Sequence, residues 1–146
     1  MIAAPRQEVW ALVSDPHHLP RWWPRTLRVE DVRQAPGGRR SRWTTVLSTR
    51  RGTGVRVDYR CTGATEGERY AWAQEIDATP FEKVLRSAGL EIRLAKQDGD
   101  TVVTLAGDDR LRGLSRLGSP MMRRAMRRRL DEALDGIERA LVDAGA

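Results

Sequence analysis

A change of hydrophobic period near residue 110 constrains the fold of this chain more than any other feature. From Leu27 to about Gly107 apolar residues tend to alternate with polar ones, as on half-buried strands, whereas beyond Ser119 they recur every three or four residues, as on one helix face. Within 54–62, Val55, Val57, Tyr59 and Cys61 share one face and Arg56, Asp58 and Arg60 the other, which predicts a sheet with one dry and one wet side. Met122, Met126, Leu130, Ala133, Leu134, Ile137 and Leu141 form one stripe on a helix that starts with Ser119 as N-cap and Pro120 at its first position and runs to about Val142. Each apolar face needs a cover, and each supplies the other's. Strand-helix-strand alternation is absent, which argues against a parallel sheet and leaves an α+β fold with an antiparallel one.

Turn signals divide the alternating region into strands at about 27–34, 41–49, 54–62, 69–77, 82–96 and 101–107, the fifth kinked at Gly89. The breaks fall at Pro36-Gly37-Gly38, at Arg51-Gly52 and at Asp98-Gly99, where both residues accept the positive φ of a tight primed turn. Ahead of the sheet, a helix at about 5–14 opens with Pro5 and carries Val9, Trp10, Leu12 and Val13. A second, shorter helix starts with Asp15 as N-cap and Pro16 in its first position, and Pro20 and Pro24 limit it to one or two turns.

Composition removes several classes of function. A length of 146 residues, 40% hydrophobic and 32% charged, fits one domain spanning 1–146. The longest apolar run is Val9–Val13, too short to span a bilayer, and no signal peptide pattern opens the chain. A single cysteine, Cys61, and two histidines, His17 and His18, cannot build a Cys/His zinc cluster and suit a reducing, cytoplasmic setting. Gly52-Thr53-Gly54 leads into a strand and lacks the third glycine of a dinucleotide loop, and Gly113–Gly118 is followed by Ser119-Pro120 in place of the lysine and hydroxyl of a phosphate loop. Ser14, Asp15 and His17 lie too close in sequence to form a hydrolase triad. No catalytic residue, metal site or cofactor is predicted.

The charge is the remaining signal. The chain carries 26 basic and 20 acidic residues, a net +6. All the basic residues except Lys83 and Lys96 are arginines. Eight of these, Arg110, Arg112, Arg116, Arg123, Arg124, Arg127, Arg128 and Arg129, lie in the span 110–130, which contains no acid. Asp131, Glu132 and Asp135 stand four residues from Arg127, Arg128 and Arg139, a spacing that predicts ion pairs along a solvated helix face. A patch for an anionic partner at Arg123, Arg124, Arg127 and Arg128 is the alternative. The segment has no aromatic residue to stack bases, and DNA is not an expected partner.

The order of motifs is specific: Ala4-Pro5 with Val9-Trp10, Asp15-Pro16 with Leu19-Pro20-Arg21-Trp22-Trp23-Pro24, a meander containing Pro80-Phe81, then Leu111-Arg112-Gly113 before the terminal helix. Over nearly its whole length the chain resembles the START-like superfamily called SRPBCC, in particular its polyketide cyclase/dehydrase-like branch. The resemblance implies a helix-grip fold, a curved antiparallel sheet wrapped around a long C-terminal helix, with an apolar cavity between them closed near the two short helices. It also implies a full first strand ahead of Ala4-Pro5, of which only Met1–Ala3 remain here, so either the start lies upstream or the first strand is truncated.

In such a cavity Trp22 and Trp23, held between prolines, would stand at the mouth. Trp43, Thr45, Tyr59, Trp72 and Gln74, alternating along strands, would supply aromatic walls and sparse polar handles, and Met122 and Met126 would adapt to the ligand's shape. The expected function is non-covalent binding of a hydrophobic small molecule or lipid-like ligand. One alternative is an aromatase/cyclase acting through Tyr59, Arg42 or a histidine. The other is an interaction protein using the arginine-rich span, for which peripheral contact with an anionic surface is open.

Overall fold

The computed structural model describes residues 2–34, 41–48, 54–76, 85–107, 110–111 and 119–145. The turns at Pro36-Gly37-Gly38 and Arg51-Gly52, the Pro80-Phe81 motif and the Arg112–Gly118 loop lie outside this set. Helix α1 spans Arg6–Val13, with Pro5 in the capping position, where its fixed φ suits the helix entrance. The expected cap at Asp15 forms: its carboxylate accepts from the His17 backbone N–H at 3.0 Å and starts the 3-10 turn Pro16–His18. Helix α2, Leu19–Trp22, follows directly. It stops at Trp23, which is extended at φ −83°, ψ 127°, the conformation that a following proline imposes on its neighbour.

The strands are β1 (Thr26–Arg33), β2 (Arg42–Ser48), β3 (Gly54–Thr65), β4 (Arg69–Gln74), β5 (Leu85–Ser87), β6 (Gly89–Gln97), β7 (Asp100–Gly107) and β8 (Arg110–Leu111), and α3 runs from Ser119 to Gly145. Six of them form one curved antiparallel sheet in the order β1-β2-β3-β4-β6-β7, and β5 pairs with β8. Asp98 and Gly99 form the two-residue hairpin turn between β6 and β7, with φ of 50° and 88°.

The single kinked strand expected at 82–96 is instead two. The chain leaves the main sheet before Ala88, and β5 pairs elsewhere with β8. Gly89 marks the break because a Cβ there would lie 2.9 Å from the Trp72 carbonyl oxygen, so only glycine lets β6 approach β4 this closely. At the far edge, Ile2 forms an isolated bridge to Thr101, with N–H···O distances of 2.7 and 3.0 Å. The buried Thr101 hydroxyl donates to the Ala4 carbonyl at 2.7 Å.

On β3, Val57, Tyr59 and Cys61 are buried while Arg56, Asp58 and Arg60 are exposed, so the dry and wet faces are as the alternation predicts. The dry face packs with Val9, Leu12 and Val13 of α1 and with Ala133, Ile137 and Ala140 of α3. Burying a side chain such as Ile92 or Ile137, both fully enclosed, contributes about 1.5–3 kcal/mol. The wet face carries ion pairs across strands, Glu91 between Arg69 and Arg93 and Glu30 between Arg28 and Arg56. Exposed pairs of this kind contribute about 0–1 kcal/mol each.

Candidate functional site

Register across the sheet puts three of the sequence-predicted residues in one transverse row. Trp43 on β2 faces Tyr59 on β3, and Tyr59 faces Gln74 on β4. Trp72 follows on the same face of β4 by alternation, and Thr45 on that of β2. From the other side, α2 and its C-terminal residue bring Trp22 and Trp23 over the sheet. The result is one aromatic cluster centred on Trp72, whose ring lies 5.4–6.4 Å from those of Trp22, Trp23, Trp43, Tyr59 and Tyr70. Most of these rings meet edge to face, the arrangement their quadrupoles favour. Trp43, Trp72, Trp22, Trp23 and Tyr59 are all buried. The rings occupy the space between sheet and helices and touch one another.

Two members were not singled out as site residues. Tyr70 stands two positions before Trp72, so the alternation that selects Trp72 and Gln74 also selects it. Trp10, on the apolar face of α1, meets Tyr70 edge to face at 6.0 Å. Burial pushes the Tyr70 phenol well above its ordinary value, and the Cys61 thiol beside it adds to the rise.

Several buried polar atoms in and beside this cluster have no hydrogen-bond partner among the described residues: the indole nitrogens of Trp22 and Trp43, the Thr45 and Thr26 hydroxyls, and Nε2 of Gln74. Buried polar groups are paired in the great majority of cases, so this concentration is unusual.

Beside the cluster lies an open groove of about 690 Å³ between α2 with its following turn and the C-terminal half of α3. Pro20, Trp22, Trp23 and Pro24 form one side, and Glu132 and Asp135 belong to the other. Trp22 and Trp23 thus border both groove and interior. The guanidinium of Arg129 lies 4.5 Å over the Trp23 ring, a cation–π contact that ties α3 to this boundary. Near the base of the groove α3 meets α2 almost backbone to backbone. A Cβ on Gly136 would fall 2.4 Å from the Trp22 carbonyl oxygen.

The remaining predicted residues lie elsewhere. Met126 is half-buried and packs over Gly107 of β7; Met122 is in the first turns of α3, and its side chain is outside the described set. Arg42 is exposed on the wet face, 3.8 Å from Glu75, and His17 and His18 are solvent-facing beside Asp15. Neither the arginine nor the histidines join Tyr59 in the interior. Arg123, Arg124, Arg127 and Arg128 are exposed along α3. The pairs expected at spacing four do not form. Among the described residues no ion pair joins Arg127 to Asp131, Arg128 to Glu132 or Arg139 to Asp135. These side chains extend into solvent, where an exposed pair gains too little to fix two long flexible chains.

Comparison with known proteins agrees with this architecture. Residues 1–142 match the sequence model of the family described as polyketide cyclase/dehydrase and lipid transport. A START superfamily protein from Mycobacterium smegmatis has a TM-score of 0.78 at 14% identity, covering 98% of this chain and 93% of its own. A protein from Thermus thermophilus gives 0.77 at 19% identity, with 99% and 94% covered. The Zhui aromatase/cyclase from a Streptomyces species gives 0.73 at 18% identity, with 94% and 86% covered. At such identities the likeness is one of fold. No curated protein matches the chain in sequence. No helix among the described residues is long and apolar enough to cross a membrane.

Proposed function

Because the chain belongs to the polyketide cyclase/dehydrase and lipid transport family, we propose that it binds a hydrophobic small molecule non-covalently between the sheet and α3, with Trp22 and Trp23 as the gate. The observation that carries this reading is the set of unpartnered buried polar atoms on Trp22, Trp43, Thr45 and Gln74. Each such atom costs about 1–3 kcal/mol in an apolar surrounding. A permanently solid core gains nothing from them. A largely apolar, flat ligand with a few oxygen atoms satisfies the indole N–H, hydroxyl and amide groups as it enters, and stacks on the rings of Trp43, Tyr59 and Trp72.

Entry of a ligand requires the rings to part. Trp22 and Trp23 are the rings best placed to do so, since they sit on a four-residue helix and its end, between the groove and Trp72. Native mass spectrometry of protein purified from its own cells is expected to show a retained apolar mass. A thermal-shift panel of lipids, quinones and polyketides is expected to include compounds that stabilise the protein, by about 2.7 kcal/mol at a hundredfold excess over Kd. Thr45→Val with Gln74→Leu should weaken that ligand's binding while the free protein becomes no less stable. A protein with no retained mass and no response to any member of the panel refutes the reading.

A second reading, an aromatase/cyclase, draws on the Zhui structure. Of the residues considered for it, Tyr59 is buried within the cluster, whereas Arg42 and His17 are exposed and His18 half-buried, all three outside it. Incubation with a reactive linear polyketide decides the matter: product ratios that change with protein and revert in Tyr59→Phe support catalysis, and unchanged ratios leave binding alone.

A further inference from the structure

The charge on the outer face of α3 is arranged against the interests of the helix itself. Arg123, Arg124, Arg127 and Arg128 occupy its N-terminal half, and Asp131, Glu132, Asp135 and Glu138 follow toward the C-terminus. The arginines repel one another at spacing four, and Arg123, at the edge of the first turn, stands nearest the helix N-terminus, whose dipole it opposes. Among the described residues none of these four arginines takes part in an ion pair. Their angular positions, at 100° per residue, span about 140° of the circumference on the side away from the buried Ala133, Ile137 and Ala140. Beside them Met121 is 80% exposed, the most exposed of the large hydrophobic side chains described. Four free guanidinium groups and a protruding apolar side chain therefore share one end of the helix.

We propose that this end of α3 is a docking surface for anionic lipid bilayers. Arginine forks suit phosphate oxygens, the headgroups supply the partners that these arginines do not find in an ion pair among the described residues, and Met121 reaches the headgroup boundary. The acidic half of the same face is repelled, so the molecule stands on the N-terminal end of α3 instead of lying along it. Arg129, one position beyond Arg128, lies over Trp23, which places the docked surface next to the boundary between groove and interior. The surface is complementary to phosphate in a plane and lacks aromatic side chains for stacking bases, which favours a bilayer over RNA.

The test is flotation of the full chain with vesicles of phosphatidylcholine alone and of phosphatidylcholine with about 30% phosphatidylglycerol, at low and high salt. The protein is expected to float with the anionic vesicles, to stay behind with the neutral ones, and to be released by about 0.5 M NaCl. Each arginine near an anionic surface contributes about fivefold to partitioning. The quadruple variant R123Q/R124Q/R127Q/R128Q should therefore lose binding on the order of several hundred-fold, with circular dichroism and melting temperature preserved. M121D should lose less, and arginine-to-lysine replacement at the four positions should keep most of the binding. Equal flotation with both vesicle types, full binding by the quadruple variant, or binding confined to RNA or an acidic polypeptide overturns the proposal. None of these results depends on whether an internal ligand exists.

Discussion

Replacing Gly136 by Ala sets two well-defined effects against each other. In the middle of an unpacked helix the change stabilises by about 1 kcal/mol, because alanine loses less backbone freedom on folding. In α3 the added methyl group would lie 2.4 Å from the carbonyl oxygen, 2.8 Å from Cα and 3.0 Å from the carbonyl carbon of Trp22. All three are backbone atoms of a short helix pinned by prolines on both sides, so relief requires α2 or α3 to move as a body. Overpacking of this kind costs about 1–3 kcal/mol. With three backbone contacts this short the cost sits in the upper part of that range, at about 2–3 kcal/mol, so the net expectation is a loss of about 1–2 kcal/mol, which lowers the melting temperature by about 3–8 °C for a chain of this length. Urea titration followed by circular dichroism should show a lower midpoint with an unchanged slope. Tryptophan emission should also shift, because Trp22 moves against Trp23 and Trp72. Asp135→Ala, exposed and one residue away, is the control and should stay within about 0.5 kcal/mol. A Gly136→Ala protein as stable as the parent, or more so, would refute the close approach of α3 to α2 on which the proposed gate depends.

Two further predictions concern pH. Asp15 is partly buried, which raises its pKa, but hydrogen bonds from the His17 backbone and ring and the charges of His17 and His18 outweigh burial and hold the carboxyl below its ordinary 3.8. Its contribution is therefore complete above that value and lost as pH falls through the lower folded-state value. Asp15→Ala should cost about 1 kcal/mol near neutrality and flatten the acid limb of a stability–pH curve; an acid limb identical to the parent's counts against the cap. Tyr70 behaves in the opposite sense: burial first, and Cys61 second, raise its phenol above the ordinary 10.0, so stability is fully present below pH 10 and falls as pH rises beyond it. Tyr70→Phe should remove that alkaline loss, and a mutant that still loses stability in parallel with the parent would show the phenol to be irrelevant.

Local chemistry was legible in residue order. Asp15 before Pro16 specifies a cap because an Asx side chain reaches only the next two or three amides. Asp98-Gly99 specifies a hairpin because both residues tolerate positive φ. Val57, Tyr59 and Cys61 point inward because a strand has a period of two. The motif order from Ala4-Pro5 to the terminal helix pointed to the helix-grip arrangement. What failed to read were features that depend on a distant partner. The break at Ala88 exists because Gly89 must pass within van der Waals reach of Trp72, 17 residues earlier, and because β8 offers β5 a different edge. The missing pairs along α3 failed for a related reason: spacing of four makes a contact available, but solvent and side-chain entropy decide whether it is kept.

By itself, then, the sequence determined the helices and most of the strands of the main sheet, which face of each is apolar, and where the positive charge is concentrated, because periodicity, capping and turn chemistry act over a few residues. Only the tertiary structure decided that aromatic residues from α1, α2, β2, β3 and β4 meet in one cluster around Trp72, that Trp22 and Trp23 stand between it and an outer groove, and that particular polar atoms are left inside without partners among the described residues. Register and packing bring those atoms together across dozens of residues, and neither is written in any one segment.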